Sequence, residues 1–163
     1  MLLLYSMALA LLINMLVNRQ FAFRVPHIRL VSLALGGAAL QALSALSPER
    51  PADLRLVMWA LGAAFVATAL YANREVPGVR LILTGLMLNA LVILVNEGMP
   101  VAATQSGSAM YDVYRHMDSS TLMPWLGDAL PDPTLLWLMS PGDVLMAVGT
   151  AVALSIAPRQ RAS

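Results

Sequence analysis

Four uninterrupted apolar runs constrain this chain more than any other feature: Met1 to Val17, Ile28 to Leu46, Leu54 to Ala72 and Val79 to Val95. Each comes near the ~20 residues that a helix needs to cross a hydrocarbon core of about 30 Å. The connections between them, "NRQFAFRVPH", "SPERPAD" and "NREVPG", are short and rich in breakers, which predicts antiparallel neighbours in a bundle. With 59% hydrophobic and 12% charged residues among 163, the chain is too apolar for an ordinary soluble domain. The first run lacks a positive leader and continues past Ala8 to Ala10, so it reads as an uncleaved first membrane helix rather than a signal peptide. A fifth run, Val144 to Ala157, is short and stops at Pro158.

Charge settles how the fifth run is read. If the loops after the first and third runs share one side with the C-terminus, that side carries seven arginines against Glu75 alone. The other side carries Arg50, Arg55 and Arg115 against eight acids. This bias follows the positive-inside rule and predicts five transmembrane helices, N-terminus outside and C-terminus inside. The fold expected is an all-α integral membrane bundle forming a single transmembrane domain over residues 1–163, with a long exterior segment at 99–140. Within that segment, Met110, Val113, Tyr114 and Met117 have helical spacing and predict a short amphipathic helix on the outer surface. Trp125 and Trp137 suit the interfacial belt.

Polar residues inside the runs carry the functional question. Gly85, Asn89, Val92 and Asn96 form one small and polar stripe of the kind preferred at helix contacts in membranes. Gly37, Gln41 and Ser44 form a similar stripe on the second run, and Ala60, Ala63, Ala64 and Ala67 give the third a small face. Asn89 and Gln41 read first as interhelical hydrogen-bond glue, with a buried polar site for a substrate or proton as the rival. Glu97 stands against the negative end of a helix dipole, before Gly98 as left-handed terminator and Pro100 as stop. An ion pair with Arg50, Arg55 or Arg115 would offset that cost; a ligand-facing acid is the alternative.

Two Gly-Asp pairs, Gly127-Asp128 and Gly142-Asp143, raise the idea of an aspartyl dyad sharing a proton. "SPGD" also reads as a helix start, with Ser140 as N-cap, Pro141 at N1 and Asp143 at N3 of a capping box. The absence of cysteine excludes disulfides, thiolate metal sites and thiol nucleophiles. His27 and His116 fall on opposite membrane faces in the expected topology and cannot jointly hold a haem or zinc. Asp112 and His116 share a face at helical i, i+4 spacing, which is ordinarily a surface pair. No phosphate loop, no Gly-x-Ser-x-Gly elbow and no basic nucleic-acid patch is present. No cofactor, metal or nucleic acid is therefore expected.

From the fourth run onward the chain resembles a family of small bacterial multi-pass membrane proteins of unknown function. The resemblance rests on "LNALVILVNEGMPV", His116, "PWLGDALP" and "SPGDVLMAVG", spanning Asn89 to Gly149. The earlier runs match only in pattern, and the common family form has Gly where Glu97 stands, which argues against a general catalytic role for that residue. The resemblance implies a bacterial inner-membrane fold and no activity. Three functions follow as expectations. The first is a non-enzymatic accessory or assembly subunit, whose partners are the lipid bilayer and other membrane-protein subunits, conceivably of an electron-transfer complex. The second is a transporter or sensor using Asn89, Asn96 and Glu97. The third is an intramembrane aspartyl hydrolase using Asp128 and Asp143.

Overall fold

A computed structural model describes residues 28–102, 114–131 and 138–156, together with residues 12 and 16. Among them the chain is mostly helical, with four α-helices: α1 (Val31–Ala45), α2 (Ala52–Ala72), α3 (Val79–Asn96) and α4 (Pro141–Ile156). The first apolar run, Met1 to Val17, lies outside the described residues apart from positions 12 and 16. Among the described residues, only α2 and α3 are long and apolar enough to cross a membrane by length and composition, two of the five spans expected. An apolar run is not all helix: the second run loses its first residues to a turn at Arg29 and Leu30, and Leu46 leaves the helix at the other end. The 15 residues of α1 reach only about 22 Å at 1.5 Å per residue.

Local chemistry explains the helix ends. Helix α2 follows Pro51 and carries Asp53 in its first turn, where the dipole favours a negative charge. Past its last residue, Asn73 donates to Ala69 O (2.7 Å) and to Arg29 O (2.8 Å), and accepts from Arg29 N–H at 2.8 Å. Asn96 repeats this clasp at the end of α3. Its amide donates to Val92 O (2.8 Å) and Leu122 O (2.9 Å), and its oxygen accepts from Leu122 N–H at 2.8 Å. Glu97, and not Gly98, takes the left-handed conformation (φ 54°) that ends α3, while the Gly98 N–H closes the last turn on Ile93 O at 2.9 Å. The exchange is physical: Gly98 opens directly into an extended segment.

That segment is β1 (Met99–Val101), wholly buried and paired in parallel with β2 (Tyr114–His116). The expected amphipathic helix is therefore corrected where it is described: Tyr114 to His116 form a strand, while residues 108–113, including the Asp112 expected to pair with His116, lie outside the described residues. On its other edge β1 meets Asp128, whose N–H donates to Pro100 O (2.8 Å) and whose carbonyl accepts from Ala102 N–H (3.1 Å). A small antiparallel pair, β3 (Leu130–Pro131) with β4 (Leu138–Met139), leads into α4. Val92, Ile93, Met99 and Leu126 form a core cluster that joins this small β-cap to α3, with Trp59 of α2 packed against it.

The helices pack as two hairpins, α1 with α2 and α3 with α4. Gly37 faces Gly62 so closely that a Cβ on either would lie 2.6 Å from the other's carbonyl oxygen. The small stripe on α1 thus meets Gly62 of α2. Ser44 completes this contact by donating to Arg55 O at 2.7 Å. In the second hairpin Gly78 lies against Gly149 and Gly85 against Gly142, with backbone on backbone at both crossings. Gly78 (φ 85°) is also left-handed, so two requirements fix it as glycine.

Candidate ligand cavity between the hairpins

Three small facts converge at the N-terminal end of α4. Ser140 Oγ accepts from the Asp143 N–H at 3.0 Å, and Asp143 Oδ2 accepts from the Ser140 N–H at 3.1 Å. This is the reciprocal capping box expected from the sequence, and it starts the helix at Pro141. Asn89 of α3 binds both members: its amide donates to Asp143 Oδ1 at 2.9 Å, and its oxygen accepts from Ser140 Oγ at 2.9 Å. Gly142 allows this approach, since a Cβ there would run into Asn89 Oδ1. Asn89 is therefore the interhelical lock that its place on the stripe suggested. Gln41 is not: it packs beside Gly62 and forms no bond to a neighbouring helix among the described residues.

Next to the lock lies a cavity of about 440 Å³ with walls from both hairpins. Its sides are apolar, including Trp59 and Val66 of α2, Ile82 and Leu86 of α3, and Met146 of α4. Gln41 lines it from α1, and the β-cap contributes Tyr114 and Asp128 beside Asp143 and Asn89. Such a volume, with apolar walls and a few convergent polar groups, is typical of a small-molecule site.

Asp128 is the unusual member. It is 8% exposed, and its Oδ1 has no hydrogen-bond partner among the described residues. Burial, followed by the nearby charge of Asp143, pushes its carboxyl up to about 7. The Tyr114 phenol is also raised, first by burial and then by the charges of Asp128 and Asp143. The structure therefore brings together Asn89, Asp128 and Asp143 of the residues singled out from sequence. It adds Tyr114 and Trp59, for which only an apolar pattern was visible.

Asn96 and Glu97 stand elsewhere. Asn96 borders a second, more polar cavity of about 310 Å³, with Arg115 and His116 among its walls. Glu97 is exposed and pairs with Arg115 at 3.7 Å, while the same guanidinium donates to Asn96 O at 2.7 Å. Of the three candidate arginines, Arg115 is the partner. It also covers a helix-end carbonyl, which accounts for an acid at that position. Among the described residues no cluster of three His, Asp or Glu could hold a metal ion.

The arrangement defines a class: a helical protein with two apolar helices of membrane-spanning length and an acid-tipped cavity under a small β-cap. The chain belongs to a family of unknown function, DUF5317, which it matches over residues 20–155. No curated protein and no solved structure matches it.

Proposed function

We propose that the protein is a non-enzymatic integral protein of a bacterial cytoplasmic membrane, whose cavity between two helix hairpins receives a small amphipathic molecule, as in a sensor or carrier component. The observation that carries this reading is the apolar cavity ending on a buried carboxylate with an unsatisfied oxygen. It shifts the weight of the sensor reading from Asn89, Asn96 and Glu97 to Asp128. The first three are occupied by structural bonds. A hydrolase finds less support, because both oxygens of Asp143 already accept hydrogen bonds that hold the helix start.

Membrane insertion is supported by the faces of α2 and α3, where only 28% and 39% of the apolar window is buried. The proposed topology is five spans with the N-terminus outside. The short helices α1 and α4 would be accommodated by local thinning of the bilayer. In this cysteine-free chain, Ser108→Cys should label from outside and Ser163→Cys only after permeabilisation; equal external labelling would overturn the topology.

The cavity is tested by extracting small molecules from purified wild-type protein and from Val66→Trp, which fills it. A molecule released in near-stoichiometric amount by the wild type and lost from the variant is expected. Identical extracts would contradict the proposal. An accessory-subunit role is a second reading, favoured by Leu122, Met123 and Trp125, which leave apolar surface exposed on the cap outside the four α-helices. Co-purification of a membrane subunit that is lost on Trp125→Ser would support it.

A further inference from the structure

We propose that the cavity selects a molecule with a positively charged nitrogen on an apolar body, and that the ammonium group seats on Asp128. This rests on reading the cavity as a ligand site and names the chemistry of its occupant. Asp128 is nine-tenths buried, lines the cavity, and keeps Oδ1 without a partner among the described residues. It cannot simply turn away to water. Both of its backbone groups are pinned to β1, and Gly127 before it is pressed against Pro100, where a Cβ would lie 2.6 Å from the carbonyl oxygen.

The surroundings favour a cation over the alternatives. Asp143 adds a second carboxylate to the lining, and among the described residues no Arg or His lines the cavity. An anionic head would therefore meet two acids with no counter-charge. A bare metal ion fits poorly too, because calcium and magnesium need six or more oxygen ligands and most of these walls are apolar. An alkylammonium satisfies both ends: its N–H groups meet the unsatisfied oxygen and its hydrocarbon meets the walls. Trp59 and Tyr114 add aromatic rings to the lining, a feature shared with sites that hold organic cations.

The test is direct binding of tritiated octylamine and tritiated octanol to the full chain in nanodiscs, at mildly alkaline pH, with empty nanodiscs subtracted. Saturable binding of both is expected, with the amine at least about tenfold tighter, a difference of about 1.4 kcal/mol. Octanoate should not compete. In Asp128→Asn the preference should vanish while octanol binding persists; Asp118→Asn, which alters an exposed acid outside the cavity, should change nothing. Equal affinity for amine and alcohol in the wild type would overturn the charge assignment and leave the cavity reading standing. A preference that survives in Asp128→Asn would remove Asp128 from the role. Absence of saturable binding by either compound would overturn the cavity reading itself. If Asp128→Asn does not fold, the amine-to-alcohol ratio of the wild type still decides the charge selectivity.

Discussion

The two hairpins are built from similar apolar helices yet hold together differently. Helices α1 and α2 cross at one glycine pair among the described residues, Gly37 with Gly62, backed by a hydroxyl bond from Ser44. Helices α3 and α4 cross at two pairs, Gly78 with Gly149 and Gly85 with Gly142, and add the lock of Asn89 on Ser140 and Asp143. Connectivity explains the difference. A turn at residues 46–51 keeps α1 beside α2 whatever their surfaces, whereas the whole segment at residues 97–140 separates α3 from α4. Closing a longer loop costs more entropy, and apolar helices in lipid gain little from hydrophobicity alone. The second pair must therefore be specified by shape and by hydrogen bonds.

Glycine substitutions should break this comparison most sharply. Gly85→Ala and Gly142→Ala press a methyl into opposing backbone, and at Gly142 also into Asn89; each should cost about 1–3 kcal/mol or more, the usual price of overpacking. Gly36→Ala meets nothing within 4 Å and should be neutral or stabilising by up to ~1 kcal/mol. Thermal or denaturant unfolding in one detergent measures all three. Equal effects at Gly36 and Gly85 would remove the close crossing.

A pH titration of stability comes next in size. The folded Asp128 carboxyl is raised to about 7, above the ~3.9 of an unfolded aspartate. The folded state therefore binds the extra proton, and this contribution is fully present at low pH and lost as pH rises between those two values. Stability of the wild type should fall over that window, and Asp128→Asn should flatten the fall. A slope unchanged by the substitution would show that Asp128 does not titrate in this way.

Within the lock, Ser140→Ala should cost about 0.5–2 kcal/mol, the size of a lost N-cap. It removes both the cap and a bond to Asn89. Asp143→Asn should cost a similar amount, because it keeps one accepting oxygen at the helix start but replaces the other, which accepts from Asn89, with an NH2 donor. The smallest effect is expected for Glu97→Gln. Its pair with Arg115 is 3.7 Å long and largely solvated, which corresponds to about 0–1 kcal/mol. A double-mutant cycle with Arg115→Gln should show weak coupling, and none with Arg50 or Arg55.

Much of this was legible in the sequence where the determinant is local. The limits of α2 and α3, the buried stripe of Gly85, Asn89, Val92 and Asn96, and the capping box all follow from neighbours in the chain. What escaped depends on partners far away. The apolar spacing around Tyr114 looks helical, but pairing with the buried strand β1 wins. The stripe on α1 gives no sign that Gly62 is its partner. In sequence Asp143 fits either a cap or a site residue; the fold makes it a cap that also borders the cavity, next to an Asp128 whose burial no local pattern discloses.

The most direct test of a cavity held between the two hairpins is the reactivity of a thiol placed inside it. Met146→Cys, on the wall given by α4, should be modified by a small water-soluble thiol reagent in membranes, since a hydrated cavity lets the reactive thiolate form. Leu91→Cys, exposed on the outer face of α3, should react slowly in lipid. Adding Val66→Trp from the opposite hairpin should abolish labelling at position 146. Labelling at 146 as slow as at 91, or unaffected by Val66→Trp, would contradict a cavity between the hairpins.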